Sequence, residues 1–118
     1  MGLHQNLPIH KSCYDLLSLT TDITKNLPRD FKAGLGGAVR DECIKLLVLI
    51  ARANSTANKV PHITEMVERV QVVEFLLRIF ADKRFISPKQ HANAIQITVS
   101  IGKQATGWKK KNATSPAV

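Results

Sequence analysis

The chain of 118 residues suits a single domain, and its 44% of hydrophobic residues excludes an intrinsically disordered protein. Aromatic residues make up only 5%, so the core must be mostly aliphatic, which favours packed helices over a β-sandwich. The formal net charge of +8 favours an anionic partner: nucleic acid, an acidic protein or an anionic membrane. The alternative is a charge that serves solubility alone.

The first helical segment is predicted over residues 8–26, because its apolar positions recur at steps of three and four. It ends before Pro28, since the residue preceding a proline avoids the α region. The predicted core face of this helix consists of Ile9, Cys13, Leu16, Leu17, Thr20, Ile23 and Leu27.

The second segment is predicted as one helix over residues 29–54 and has the strongest apolar periodicity. It contains the pair Gly36-Gly37, although each glycine costs about 1 kcal/mol relative to alanine in a helix. We interpret the pair as a close approach of a neighbouring helix; a phosphate-binding loop is the alternative, without a matching motif. The predicted core face consists of Phe31, Leu35, Val39, Cys43, Leu46, Leu47, Ile50 and Ala53.

The third helix is predicted from Pro61, which suits a first helical turn, to about Lys83. Its predicted core face consists of Ile63, Met66, Val67, Val70, Val73, Leu77 and Phe80. Acidic and basic residues spaced four apart predict surface ion pairs. These pairs are Asp41–Lys45, Glu65–Arg69 and Glu74–Arg78.

The fourth helix has the clearest start, since Ser87, Pro88 and Gln90 form the pattern of a capping box. Its predicted core face consists of His91, Ala94, Ile95, Thr98, Ile101, Ala105 and Trp108. Four amphipathic segments with short connections predict an all-α, antiparallel up-down four-helix bundle. We expect one domain over residues 1–111 and a disordered tail over residues 112–118.

The sequence contains no catalytic constellation. The four histidines lack an HExxH pattern, and no GxSxG motif is present, so we expect a protein that is not an enzyme. Cys13 and Cys43 lack zinc-site spacing and fall at apolar helix positions, so we expect no metal or other cofactor. Without a secretory signal or a long apolar run, we expect a cytoplasmic protein that does not enter membranes and has no small-molecule substrate.

Positive charge is concentrated on particular helix faces. Residues 89, 96, 103 and 110 recur every seven positions and form a polar stripe about 30 Å long on the fourth helix. Such a stripe suits phosphates rather than base edges. Trp108 beside it either packs in the core, which we favour, or stacks on a base. The predicted nucleic-acid-binding residues are Lys32, Arg40, Arg52, Lys89, Lys103, Lys109, Lys110 and Lys111.

The order of several short motifs resembles the accessory variability determinant proteins of diversity-generating retroelements, which are bacterial and phage-borne. The resemblance covers about residues 11–111, and the last of its motifs is the most specific. The motifs are Leu27-Pro28-Arg29-Asp30, Leu35-Gly36, Arg40, Arg69, Leu76-Leu77-Arg78, Ile86-Ser87-Pro88-Lys89-Gln90-His91-Ala92, Ile101-Gly102-Lys103-Gln104 and Gly107-Trp108.

The resemblance implies a non-catalytic four-helix bundle that assembles into a positively charged homopentameric barrel. It implies binding to the element's reverse transcriptase and to its template RNA, with DNA as a further partner, in support of mutagenic cDNA synthesis and retrohoming. Two alternatives remain: a helical protein–protein adaptor, and a four-helix-bundle protein of the kind found in ribosomal RNA intervening sequences. The family supplies no motif that assigns individual RNA contacts, so the basic positions above rest on charge alone.

Overall fold

Residues 3–113 of the chain are described by a computed structural model in which four long helices form one bundle. The helices are α1 (Pro8–Thr24), the one-turn α2 (Arg29–Lys32), α3 (Leu35–Asn54), α4 (Val60–Asp82) and α5 (Pro88–Ala113). No β-strand occurs within residues 3–113, so the all-α prediction is confirmed. The last helix includes residues 112 and 113 of the predicted tail, and residues 114–118 lie outside the described residues.

The helices run up and down in sequence order around a shared core. Helix α3 packs against α1 and α4, and α5 packs against α4 and α1, which closes the bundle. The outer surfaces of α3 and α5 therefore lie on diagonally opposite sides. One end of the bundle holds the end of α1, all of α2, the end of α4 and the start of α5. We call it the α2 end.

The predicted second helix is interrupted, which corrects the sequence interpretation. Helix α2 stops at Lys32, and a turn at residues 33–34 precedes α3. The ring of Phe31 lies 4.9 Å, centroid to centroid, from that of Phe85 in the α4–α5 connection. This contact holds α2 across the end of the bundle, and an apolar period in the sequence cannot reveal it, because Phe31 also continues the period of α3.

The core is aliphatic, as predicted, and most predicted core positions are buried. The differences are small: Leu49 of α3 is buried where Leu47 was predicted to be, and Val67 lies at the core's edge. The predicted close helix approach is confirmed at one of the two glycines. A Cβ on Gly36 would lie 3.3 Å from Leu27 Cδ1, whereas Gly37 has only the Arg40 side chain nearby, at 4.0 Å.

The three predicted surface ion pairs are replaced by others. Lys45 Nζ bonds Glu42 at 3.1 Å, and Arg69 Nη1 bonds the other oxygen of the same carboxylate at 2.8 Å. Arg78 lies 3.7 Å from Asp82. Glu74 instead accepts a hydrogen bond of 2.8 Å from the Thr98 hydroxyl of α5. Arg69 and Glu74 thus have partners on other helices, whereas Lys45 and Arg78 pair with different neighbours along their own helix. An exposed i,i+4 pair contributes only about 0.3–0.5 kcal/mol, so it is easily replaced.

Side-chain caps fix two helix ends. The predicted capping box is present: the Ser87 N–H donates to Gln90 Oε1 at 2.8 Å, and the Gln90 N–H donates to Ser87 Oγ at 3.0 Å. At the end of α3, the Lys59 ammonium donates to the carbonyls of Ala53 at 2.7 Å and Thr56 at 2.8 Å. Of these two carbonyls, that of Ala53 belongs to the last turn of α3, where the helix leaves it without a partner, and that of Thr56 belongs to the connection that follows.

Candidate nucleic-acid interface

Helix α5 carries the most one-sided charge in the molecule. Its 26 residues include five lysines and no aspartate or glutamate. All nine acidic residues of the chain lie between Asp15 and Asp82. This segregation is visible in the sequence and supports the fourth helix as the basic element more strongly than the seven-residue spacing does. The helix itself carries no carboxylate, and the Glu74 carboxylate of α4 contacts its inner face at Thr98, so the positive charge is concentrated on the outer face.

The predicted polar stripe forms the outer edge of α5. Lys89, Gln96, Lys103 and Lys110 are all exposed. None of the ion pairs between described residues involves Lys89, Lys103 or Lys110. Two hydrogen bonds hold the inner face of the helix: the Thr98 hydroxyl donates to Glu74 of α4, and the Gln104 amide donates to the Ser12 hydroxyl of α1 at 3.0 Å. The lysines are thus presented by a helix fixed on both sides.

A shallow groove runs along the same outer face. It has a volume of about 600 Å³, and Ala92, Ile95, Val99 and Lys103 are among its lining residues. Val99 is 43% exposed. The groove therefore combines an apolar floor with one ammonium group at its margin, a combination that suits a partner with both apolar and anionic groups.

Two glycines within α5 have no packing role inside the described chain. A Cβ added at Gly102 or at Gly107 would meet no atom within 4 Å. Glycine inside a helix is destabilising by roughly 0.5–1 kcal/mol relative to alanine. Neither position requires a positive φ. Because these residues have no side chains, the backbone of α5 is open to solvent at both positions.

The basic cluster at the end of α5 lies beside a partly buried tryptophan. Trp108 packs against the core, which agrees with the packing alternative. It also lines a cavity of about 290 Å³ with Leu7 and Lys111. Lys109 is half-buried, while Lys110 and Lys111 are exposed. The cluster therefore extends the lysine stripe to the end of the bundle opposite the α2 end.

The remaining predicted residues do not join the α5 surface. Arg40 is half-buried, and its Nη1 donates 2.9 Å to the Thr24 hydroxyl, so it links α3 to α1. Arg52 is exposed at the end of α3, on the side diagonally opposite α5. Lys32 is exposed at the α2 end, where Lys89 lies in the first turn of α5. The residues predicted on the second helix therefore lie apart from one another and from the outer face of α5.

The two thiols belong to the core and not to the interface. Burial raises the pKa of Cys13 to about 12 and that of Cys43 to about 11. Cys43 Sγ lies 3.6 Å from the Thr20 hydroxyl. Within residues 3–113, no three metal-ligating side chains are grouped to hold an ion. None of the helices in that range has the length and apolarity required to cross a membrane.

Fold and surface together define a helical-bundle protein with an acid-free, lysine-bearing helix on one side. A model of the bAvd-like family, the bacterial accessory variability determinants, matches residues 7–112, and the chain belongs to this family. The family is one of accessory proteins without catalytic activity. The resemblance inferred from the motifs is confirmed. Comparisons with curated proteins and with solved structures give no match.

Proposed function

We propose that the protein is a non-catalytic accessory subunit of a diversity-generating retroelement, binding the reverse transcriptase and its template RNA or cDNA. Family membership and the acid-free surface of α5 support this proposal. Lysines without carboxylate neighbours attract phosphate backbones and release condensed counterions on binding. The molecule acts by holding the RNA and the enzyme together, in support of mutagenic cDNA synthesis and retrohoming.

The low groove on α5 is the proposed contact for the reverse transcriptase. Its exposed apolar floor and the absence of side chains at Gly102 and Gly107 allow a partner to approach the helix backbone closely. The lysines at its margin then reach the RNA that the enzyme carries. A homopentamer, as the family resemblance implies, would repeat this surface five times and multiply the phosphate contacts.

RNA binding by a charge-reversed α5 tests the proposal. Lys103→Glu with Lys110→Glu removes two exposed, unpaired cations from the stripe. The control is Lys11→Glu with Lys25→Glu, which makes the same charge change on exposed residues of α1 and its end. Because Lys11 pairs with Asp15 at 3.1 Å, circular dichroism checks that this control is folded. Affinity for a structured RNA should fall by more than tenfold in the α5 variant at 0.1 M salt. The slope of the logarithm of its binding constant against the logarithm of the salt concentration should decrease in magnitude by about 1.4–1.8. Each of the two lost phosphate contacts contributes about 0.7–0.9 to that slope.

Light scattering on the same samples measures assembly and binding together. A homopentamer that binds RNA and releases it as salt rises supports the accessory role. Equal losses in the α5 variant and the α1 control would mean that net charge, and not the α5 surface, governs binding. A wild-type protein that does not bind RNA at moderate salt would contradict the proposal and favour a role as a protein–protein adaptor.

A further inference from the structure

A second basic site lies at the α2 end, outside the residues predicted from charge. An open cavity of about 830 Å³ occupies the corner between α4 and α5. Arg78 and Arg84 line it from α4 and its end, and His91 lines it from α5. Phe85 and Pro88 supply its apolar wall.

The backbone at Arg84 is unusual for an arginine. It has φ of 61°, the one positive φ among non-glycine residues in the described chain. The Phe85 N–H bonds the Phe80 carbonyl at 2.8 Å, and the Arg84 N–H bonds that of Ala81 at 3.0 Å, which closes the helix end as a Schellman-type turn. Glycine is the usual residue there because it has no Cβ to clash. An arginine therefore accepts a steric cost at the position where its side chain borders the cavity.

The cavity's own charges are only weakly neutralised. Arg78 lies 3.7 Å from Asp82, and both side chains are more than two-thirds exposed, so this pair is a weak one in water. Arg84 makes none of the ion pairs between described residues. The His91 ring contributes a buried Nε2 without a hydrogen-bond partner within residues 3–113. The polar groups at this corner can therefore form more hydrogen bonds and ion pairs than they form within the described chain.

The wall of the cavity is held in place by α2. The ring of Phe31 packs against Phe85 at 4.9 Å, so the apolar side is anchored at the bundle end. Two guanidinium groups beside a fixed apolar wall match a phosphate together with the sugar or base attached to it. Guanidinium forks bind phosphate oxygens in pairs, which lysines do not.

We propose that this cavity binds a backbone phosphate of the RNA, with Arg84 and Arg78 as its ligands and Phe85 and Pro88 facing the adjoining nucleotide. The proposal rests on the RNA binding proposed above and adds a discrete contact at the end of the bundle opposite Lys110. RNA that follows α5 from the lysine cluster toward Lys89 would reach this corner. Asp82 opposes the bound anion and limits the affinity of the site.

Arg84→Gly is the decisive variant, because it removes the guanidinium while relieving the backbone. We expect an unchanged or higher melting temperature, so a loss of binding cannot be attributed to unfolding. Affinity for RNA should fall about 5- to 10-fold, with a salt slope reduced by about 0.7–0.9 for one lost phosphate contact. The matched control is Lys83→Gln, an exposed neighbour with the same loss of charge that does not line the cavity. It should change affinity less than twofold.

Two further variants sharpen the test. Asp82→Asn removes the opposing carboxylate and should raise RNA affinity about two- to fivefold. Arg84→Lys keeps the charge without the fork and should restore only part of the binding. Wild-type affinity in Arg84→Gly, or equal losses in Arg84→Gly and Lys83→Gln, would overturn the proposal.

Titration with inorganic phosphate, followed by NMR, separates the possible sources of the anion. Shifts at Arg84 and His91, together with weakened RNA binding in Arg84→Gly, support an RNA phosphate site. The same shifts with unchanged RNA binding identify a site for free phosphate and overturn the RNA assignment. If the wild-type protein binds no RNA, the proposed function fails. If the α5 variant loses RNA binding while Arg84→Gly retains it, the proposed function stands and only the assignment of an RNA phosphate to this cavity is refuted.

Discussion

Helices α3 and α5 have similar ingredients, glycines and basic residues on an amphipathic helix, but they use them differently. In α3, Gly36 admits the end of α1, and Arg40 bonds Thr24. Glu42 is only 6% exposed and is bonded by Lys45 and by Arg69 of α4. Gly36, Arg40 and Glu42 of α3 are therefore explained by contacts within one chain.

The corresponding residues of α5 have no such explanation within one chain. Gly102 and Gly107 face open space, and Lys103 and Lys110 make none of the described ion pairs. The contrast teaches that the two helices were shaped by different demands. These residues of α3 stabilise the fold, whereas Gly102 and Gly107 lower the stability of α5, and we propose that they serve a partner instead.

Removing Arg69 should produce the largest loss of stability. Arg69→Ala leaves the Glu42 carboxylate at the α3–α4 contact with only the exposed Lys45 as its partner. We expect a loss of about 2–4 kcal/mol in the free energy of unfolding, since breaking a buried pair costs about 3–5 kcal/mol and Arg69 is 29% exposed. Urea denaturation measures this loss. Arg78→Ala breaks an exposed pair and should cost less than about 0.5 kcal/mol; equal losses would contradict the role of Glu42.

Filling Gly36 tests whether its small size is required by the fold. A leucine there would clash with Leu27 and Thr24, which lie 3.3 and 3.4 Å from the position of a Cβ. We expect Gly36→Leu to lower stability by about 1–3 kcal/mol through overpacking. Thermal melting with circular dichroism provides the measurement. A variant as stable as wild type would show that the end of α1 moves aside at little cost and that the fold does not require a glycine at position 36.

Alkaline pH should weaken the α1–α3 core through the two buried thiols. Their pKa values are raised in the folded state, so between pH 9 and about 11 the unfolded chain loses thiol protons that the folded chain retains. The unfolded state then binds fewer protons, and stability falls by up to about 1.4 kcal/mol per pH unit for each thiol. Below about pH 8 the thiols stay protonated in both states and contribute almost no pH dependence. Urea melts at pH 8 and pH 10 should show a smaller decline in the Cys13→Ala/Cys43→Ala variant than in wild type.

The smallest effect is a gain. Gly102→Ala and Gly107→Ala should each raise stability by about 0.5–1 kcal/mol, because alanine is the better helix former and its Cβ meets nothing. Melting temperatures measure the gain, and copurification with the reverse transcriptase measures its cost. More stable variants with weaker capture of the enzyme would place the partner on this face. Unimpaired capture would remove the glycines from the proposed contact.

Much of the fold was predictable because it depends on local signals. The capping box at Ser87 and Gln90 and the apolar periods required only neighbours in sequence. The break before α3 was not predictable, since it depends on Phe31 meeting Phe85, more than fifty residues away. The Glu65–Arg69 pair was predicted wrongly for the same reason, because Arg69 binds a carboxylate on another helix. Lys45 and Arg78 instead pair with other carboxylates on their own helices.

The candidate interface was predictable in part. The lysines of α5 are exposed as the seven-residue spacing requires, but Arg40 and Arg52 lie on other surfaces because α3 and α5 occupy opposite corners of the bundle. Arg78 and Arg84 gave no signal, because an i,i+4 pattern assigned the first to Glu74 and no pattern marks a left-handed arginine. Which basic residues contact RNA remains a prediction.

Lys59 has a practical consequence for chemical footprinting. Its ammonium is held by carbonyls at the end of α3, so its reaction with an amine-acylating reagent requires that this connection open. Lys103 and Lys110 react without any opening. Within a single mass spectrum, modification of Lys59 therefore reports whether the connection after α3 is closed, and protection of the α5 lysines reports whether a partner is bound. One lysine serves as the internal standard against which the others are read.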